Sequence, residues 1–214
     1  MRKQEKKNKV IVNAIIRHVQ NNKKQYLIVG ILFLIGLIVG ISFTNNIKIN
    51  SENKTDEYIT NFVEALKSDY EIDQTSLLKS TIISNLIMVL IIWFMGSTVI
   101  GLPIVYLIIV YKGFSLGYTI SCVIIALGTT KGMLFTMASM FLQNIIIIPC
   151  IMALSVSGVK LYQSIMKDKR KENIKIEIIR HTILSVFIAI LLIMSAFIEV
   201  YISSNLLSMS VKFL

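Results

Sequence analysis

The charged residues of this 214-residue chain are gathered into blocks, and the stretches between the blocks are long, apolar and free of charge. A helix that crosses a bilayer needs about 20 mostly apolar residues, each adding roughly 1.5 Å. Inside lipid every backbone polar group must also be satisfied within the structure, which favours helices. Hydrophobic residues make up 55% of the chain, and the mean hydropathy is +0.72, above what a soluble domain carries. The reading is an all-α, polytopic membrane bundle of five transmembrane helices.

The first span is Tyr26–Phe43. Its polar lead is long for a signal peptide and no small-residue cleavage site follows, so an uncleaved anchor is expected. The run Ile82–Val110 is too long for one upright helix, and Gly96, Gly101 and Pro103 interrupt it. It is read as one kinked or tilted helix ending at Lys112. The third span follows at Gly113–Gly128, the fourth at Gly132–Gly158 and the fifth at Thr182–Ile202. Lys and Arg crowd residues 1–25 and 160–181, whereas acids dominate residues 44–81. The positive-inside rule then puts the N-terminus and the second basic block in the cytoplasm, and the C-terminus outside. The resulting organisation is a basic cytoplasmic N-terminus (1–25), helix 1 (26–43), an external loop (44–81), a three-helix core (82–158), a basic cytoplasmic loop (159–181), and helix 5 with a short external tail (182–214). The net charge of +10 is explained by these membrane flanks and requires no nucleic acid.

Small residues recur where helices in lipid need close backbone approach. Gly36 and Gly40 form one such pair, and Gly113, Gly117 and Ser121 form a stripe at four-residue spacing. Two readings fit: packing within one copy, or docking of another chain, including a homo-oligomer. Gln143 and Asn144 stand side by side in an apolar run, five residues before Pro149. An unpartnered amide at membrane depth costs several kcal/mol, so both are expected to face protein or water, as glue between helices or as a polar partner site. Pro149 removes a backbone donor, and a local break is expected there. In the external loop, residues 55–72 show an amphipathic helical pattern with Tyr58, Phe62 and Leu66 on its apolar face. That face suits either the membrane surface or an external partner.

No catalytic, metal-binding or cofactor-binding set is assigned: HExxH and phosphate-loop motifs are missing from the sequence. Cys122 and Cys150 read as small buried hydrophobes. His18 and His181 fall in basic flanks, where solvated side chains are expected. Glu199, the one carboxylate inside a span, is expected to reach the headgroups, although an intramembrane charge is also a functional candidate.

The block "GSTVIGLPIVYLIIVYKGFSLGYTI" followed by "FLQNIIIIPCIMALS" resembles the stage II sporulation protein M family. Gly96, Gly101, Pro103, Lys112-Gly113, Gly117 and Gln143-Asn144…Pro149 carry the likeness, with Leu142 standing where the family pattern has proline. The resemblance implies a non-enzymatic anchor in the mother-cell membrane at the sporulation septum. Its implied partners are two cell-wall hydrolases, sporulation proteins D and P, which act in engulfment. A small permease or exporter subunit is the alternative, and an intramembrane enzyme is disfavoured by the lack of paired polar catalysts.

Overall fold

In the computed structural model the chain leaves one helix at Gly96 and enters the next at Leu102, inside the run read above as a single kinked span. The structure describes residues 16, 18–50, 73–98, 101–137, 140, 142–167 and 171–203. The amphipathic pattern at 55–72, with Tyr58, Phe62 and Leu66, lies outside them, as does the chain beyond residue 203. The described helices are α1 (Lys23–Asn50), α2 (Gln74–Gly96), α3 (Leu102–Leu127), the short α4 (Thr129–Thr136), α5 (Leu142–Lys167) and α6 (Lys171–Ile198). A π-helical turn, Glu199–Ser203, continues α6. Five segments are long and apolar enough to cross a membrane: Lys23–Thr44, Gln74–Gly96, Leu102–Ile125, Gln143–Met166 and Ile174–Ile202. The all-α, five-span architecture is therefore as the sequence implies, but several boundaries differ.

Local chemistry explains the differences. Asp73 caps α2, its carboxylate accepting from the backbone N–H groups of Thr75 and Ser76 at 3.0 and 3.1 Å. The helix thus starts before the apolar run does. At the other end the Ser97 and Thr98 hydroxyls donate to the Trp93 and Met95 carbonyls at 2.8 and 3.0 Å, satisfying groups that a helix end leaves free. Pro103 then sits in the first turn of α3, where its missing N–H costs nothing. A run with a hairpin inside it has the same hydropathy as one long helix, so apolarity alone could not locate the turn. Lys112 consequently lies about ten residues into α3 and not at a turn. The range 159–181 is likewise not a loop. α5 runs on to Lys167 and α6 begins at Lys171, so most of those charges ride on helix ends.

Side-chain bonds between helices define which ends meet. Gln25 of α1 donates to Gln163 of α5 at 3.2 Å, and Trp93 of α2 donates to Thr182 of α6 at 3.1 Å. These contacts mark a basic end of the bundle, where Lys23, Lys24, Lys160 and Arg180 reside. From it α1, α3 and α6 run away and α2 and α5 return. α2, α5 and α6 pack mutually, while α1 packs chiefly on α3, and that pair leans on α5. The shared core comprises Val29, Val89, Ile92, Val105, Ile109, Ile147, Leu154 and Leu192. Around the rim Leu27, Ile38, Leu90, Leu107, Ile183 and Met194 remain more than half exposed, as a lipid-facing surface would be.

The glycine pairs are consumed within the chain. A Cβ on Gly36 would collide with the carbonyl of Val110, and one on Gly40 with that of Phe114. Reciprocally, a Cβ on Gly113 would strike the Phe33 carbonyl and one on Gly117 the Leu37 carbonyl. Two stripes of four-residue period thus mesh backbone to backbone, and Ser121 is buried further along α3. A second crossing joins Gly96 to Gly158, where an added Cβ would sit 3.0–3.1 Å from the partner's Cα. Gly101 closes the α2–α3 turn against the Met95 carbonyl. Gly128 holds φ +80° between α3 and α4, a left-handed position suited to glycine.

Pro149 does not break its helix: α5 continues through it. The ring is exposed on the rim and Ile145, whose carbonyl loses its usual partner, is exposed as well.

Candidate functional site

Along α6 the residues His181, Ser185, Ile188, Leu192, Ser195 and Glu199 recur at alternating spacings of four and three, which places them on one helix face. All are buried apart from Glu199, which is half-buried. The stripe is apolar in the middle and polar at both ends, and each polar end meets polar groups on α2 or α5.

The end far from the basic flank holds the charged group. Gln143, at the start of α5, is assigned with its amide nitrogen toward Glu199. In that orientation it donates to the two carboxylate oxygens at 3.2 and 3.1 Å. The Thr81 hydroxyl of α2 is a further hydrogen-bond partner of Glu199, and the Lys112 ammonium of α3 acts on it through space. Ser195 donates to the Gln143 carbonyl at 3.4 Å, and Asn85 donates to the Leu192 carbonyl at 3.3 Å. Four helices thereby contribute to one polar cluster inside the bundle. The π turn opens at Glu199, a backbone irregularity of the kind that gathers at functional positions. Chemically, the set can tie helices together and hold or release a single proton. Glu199, expected at the headgroups, finds its polar partners on α2 and α5.

Asn144 does something different from its neighbour. Its amide donates to the Met140 carbonyl at 2.8 Å, one turn back along its own chain. Of the two adjacent amides, Gln143 makes the interhelical bonds and Asn144 makes a local one.

At the basic end His181 is buried, 1% exposed, and not solvated as its flank suggested. Its Nδ1 pairs with the Ser157 hydroxyl of α5 at 3.0 Å. The ring covers the Gly96–Gly158 crossing, with Nε2 3.1 Å from where a Gly96 Cβ would stand. Outside the span, His18 pairs with the Tyr26 hydroxyl at 3.2 Å. Burial, reinforced by Lys160, pulls the His18 pKa below its ordinary 6.5, against the opposing charge of Glu177.

Gln143, singled out in the sequence as an amide that must face protein or water, meets the Glu199 carboxylate. Sequence reasoning missed Lys112, Thr81, Ser195 and the polar partners of Glu199. The three-and-four spacing of polar residues along α6 was the available signal.

Five membrane-length helices, meshed glycine faces and an internal charged cluster define a multi-pass helical membrane protein. The chain belongs to the stage II sporulation protein M family, whose family model matches residues 29–204, from within α1 to just past the π turn. Neither a curated protein nor a solved structure matches the chain.

Proposed function

We propose that this protein is a non-enzymatic scaffold of the engulfment machinery, holding the cell-wall hydrolases sporulation proteins D and P at the septal membrane of the mother cell. Its family is a sporulation membrane family, and the anchor role follows the resemblance drawn above. One observation favours a scaffold in particular. The glycine faces and the Gln143–Glu199 cluster are engaged with one another inside the bundle, so partner recognition falls to outer surfaces. The proposed surface is the segment 55–72, with Tyr58, Phe62 and Leu66 as its apolar contacts.

The proposal includes an orientation, with the basic end in the cytoplasm. Reporter fusions after Lys24 and Lys169 are expected to read cytoplasmic, and fusions after Asn53 and Lys212 external. A cytoplasmic reading after Lys212 overturns the orientation and removes the segment 55–72 from contact with wall enzymes.

The scaffold role itself is tested by replacing Tyr58, Phe62 and Leu66 with Ser. Each buried side chain of this kind contributes roughly 1.5–3 kcal/mol, so an interface built on three is abolished. The variant is expected to reach the membrane at normal levels while the hydrolases disperse and engulfment arrests. Normal hydrolase placement eliminates this segment as the docking surface. A small permease or exporter subunit is the second reading, favoured by the charged cluster between helices. Substrate flux in reconstituted vesicles that disappears in Glu199→Leu would select it over the scaffold.

A further inference from the structure

A groove of about 390 Å³ opens between α5 and α6 at the basic end, and nothing in the scaffold reading uses it. His18, Lys160, Glu177 and Arg180 line one part of it, and Ile183 and Phe187 line another. The division follows the helix register. Glu177, Arg180, Leu184 and Phe187 succeed one another by three or four residues, so polar gives way to apolar along a single face of α6. The apolar run of α6 starts at Thr182, and that of α5 ends near Gly158. Lys160 and Arg180 therefore stand where the apolar runs of the two helices give way to charge. Ile183 and Phe187 are 65% and 51% exposed, so the lower wall is open to the lipid side and not closed by protein.

The charges are arranged and not merely abundant. Glu177 accepts from Arg180 at 2.8 Å and pairs with Lys160 at 3.6 Å, which holds two cations from different helices around one opening. Two positive charges and one negative leave a net of +1 (2 − 1). His18, held below its ordinary pKa by burial and by Lys160, adds a hydrogen-bonding ring. The Arg180 side chain is 63% exposed while it donates to Glu177.

We propose that this groove binds an anionic phospholipid, with its phosphodiester held by Lys160 and Arg180 and an acyl chain lying along Ile183 and Phe187. The charge balance suits a single phosphodiester, and the open apolar wall suits a chain that a free phosphate lacks. A zwitterionic lipid carries its own cation, which competes with Lys160 and Arg180 for the same phosphate. The inference does not depend on the scaffold reading.

The test uses the full-length protein purified in a neutral detergent. Phosphatidylglycerol is expected to raise the thermal midpoint well above the shift given by phosphatidylcholine, and the soluble headgroup glycerophosphoglycerol is expected to give none. A basic residue near a membrane surface contributes about fivefold in affinity. Lys160→Gln combined with Arg180→Gln should therefore weaken phosphatidylglycerol binding by roughly 25-fold. Lys175→Gln, on the exposed side of the same helix end, should leave it unchanged. A second measurement keeps the charged groups intact: in Phe187→Trp, brominated phosphatidylglycerol should quench the new indole more than brominated phosphatidylcholine does, after subtraction of the parent signal from Trp93. Equal effects of the two lipids in either assay, or an undiminished preference in the double variant, overturn the proposal.

Discussion

Gly117→Leu is expected to insert into the membrane and fail to accumulate. Even a methyl group at this position would collide with the Leu37 carbonyl, so Gly117→Ala should already lose about 1–3 kcal/mol, the range for an overpacked site. A leucine must push α1 away from α3 along its whole length, because the Gly36, Gly40 and Gly113 contacts share the same helix separation. Thermal midpoints in detergent and steady-state membrane levels report the effect. The alternative use of this face, docking of a second copy, predicts a change in oligomer mass with a normal midpoint. That second pattern, or no change at all, would show that α1 and α3 do not mesh as described.

The second large effect concerns the charged cluster. Glu199→Leu removes the acceptor of the Gln143 amide and a partner of the Thr81 hydroxyl, and it isolates the Lys112 ammonium. A buried donor left without an acceptor costs about 1–3 kcal/mol, so a loss in that range is expected in the midpoint. Lys112→Met alone should also destabilise, because it leaves the carboxylate charge uncompensated. Lys112→Met with Glu199→Gln should recover most of that loss, since a neutral amide still bonds Gln143 and no charge remains unbalanced. Coupling of at least about 1 kcal/mol across this cycle is the expected signature of interacting sites. Strictly additive losses would mean that the two charges do not sense each other.

How much of this could be read in advance depended on which physical signal each feature leaves. Long apolar runs with few charges mark a five-span chain because the bilayer imposes length and apolarity together. Glycine spacing identified both faces of the α1–α3 contact, yet spacing is the same whether the partner is another helix of the chain or another chain. The α2–α3 turn was invisible to hydropathy, and its misplacement carried Lys112 to the wrong depth. Glu199 lies near the end of its span, where the headgroups are in reach, and its partners come from distant segments that spacing does not reveal. Gln143 and Asn144 were indistinguishable in sequence. Only helix rotation separates them, turning one toward α6 and the other back onto its own preceding turn.

The partnering of the helices has a consequence for biosynthesis. Two of the close helix pairings skip along the chain. α1 waits for α3, and α2 waits for α6, the last of the described helices. Asn85 of α2 donates to a carbonyl 107 residues downstream. The Gln143 amide likewise takes its acceptors from the end of α6. Until that final helix arrives, both amides face lipid or one another. An incomplete copy therefore differs from a finished one by polar side chains exposed at membrane depth. Insertion of α6 removes that difference.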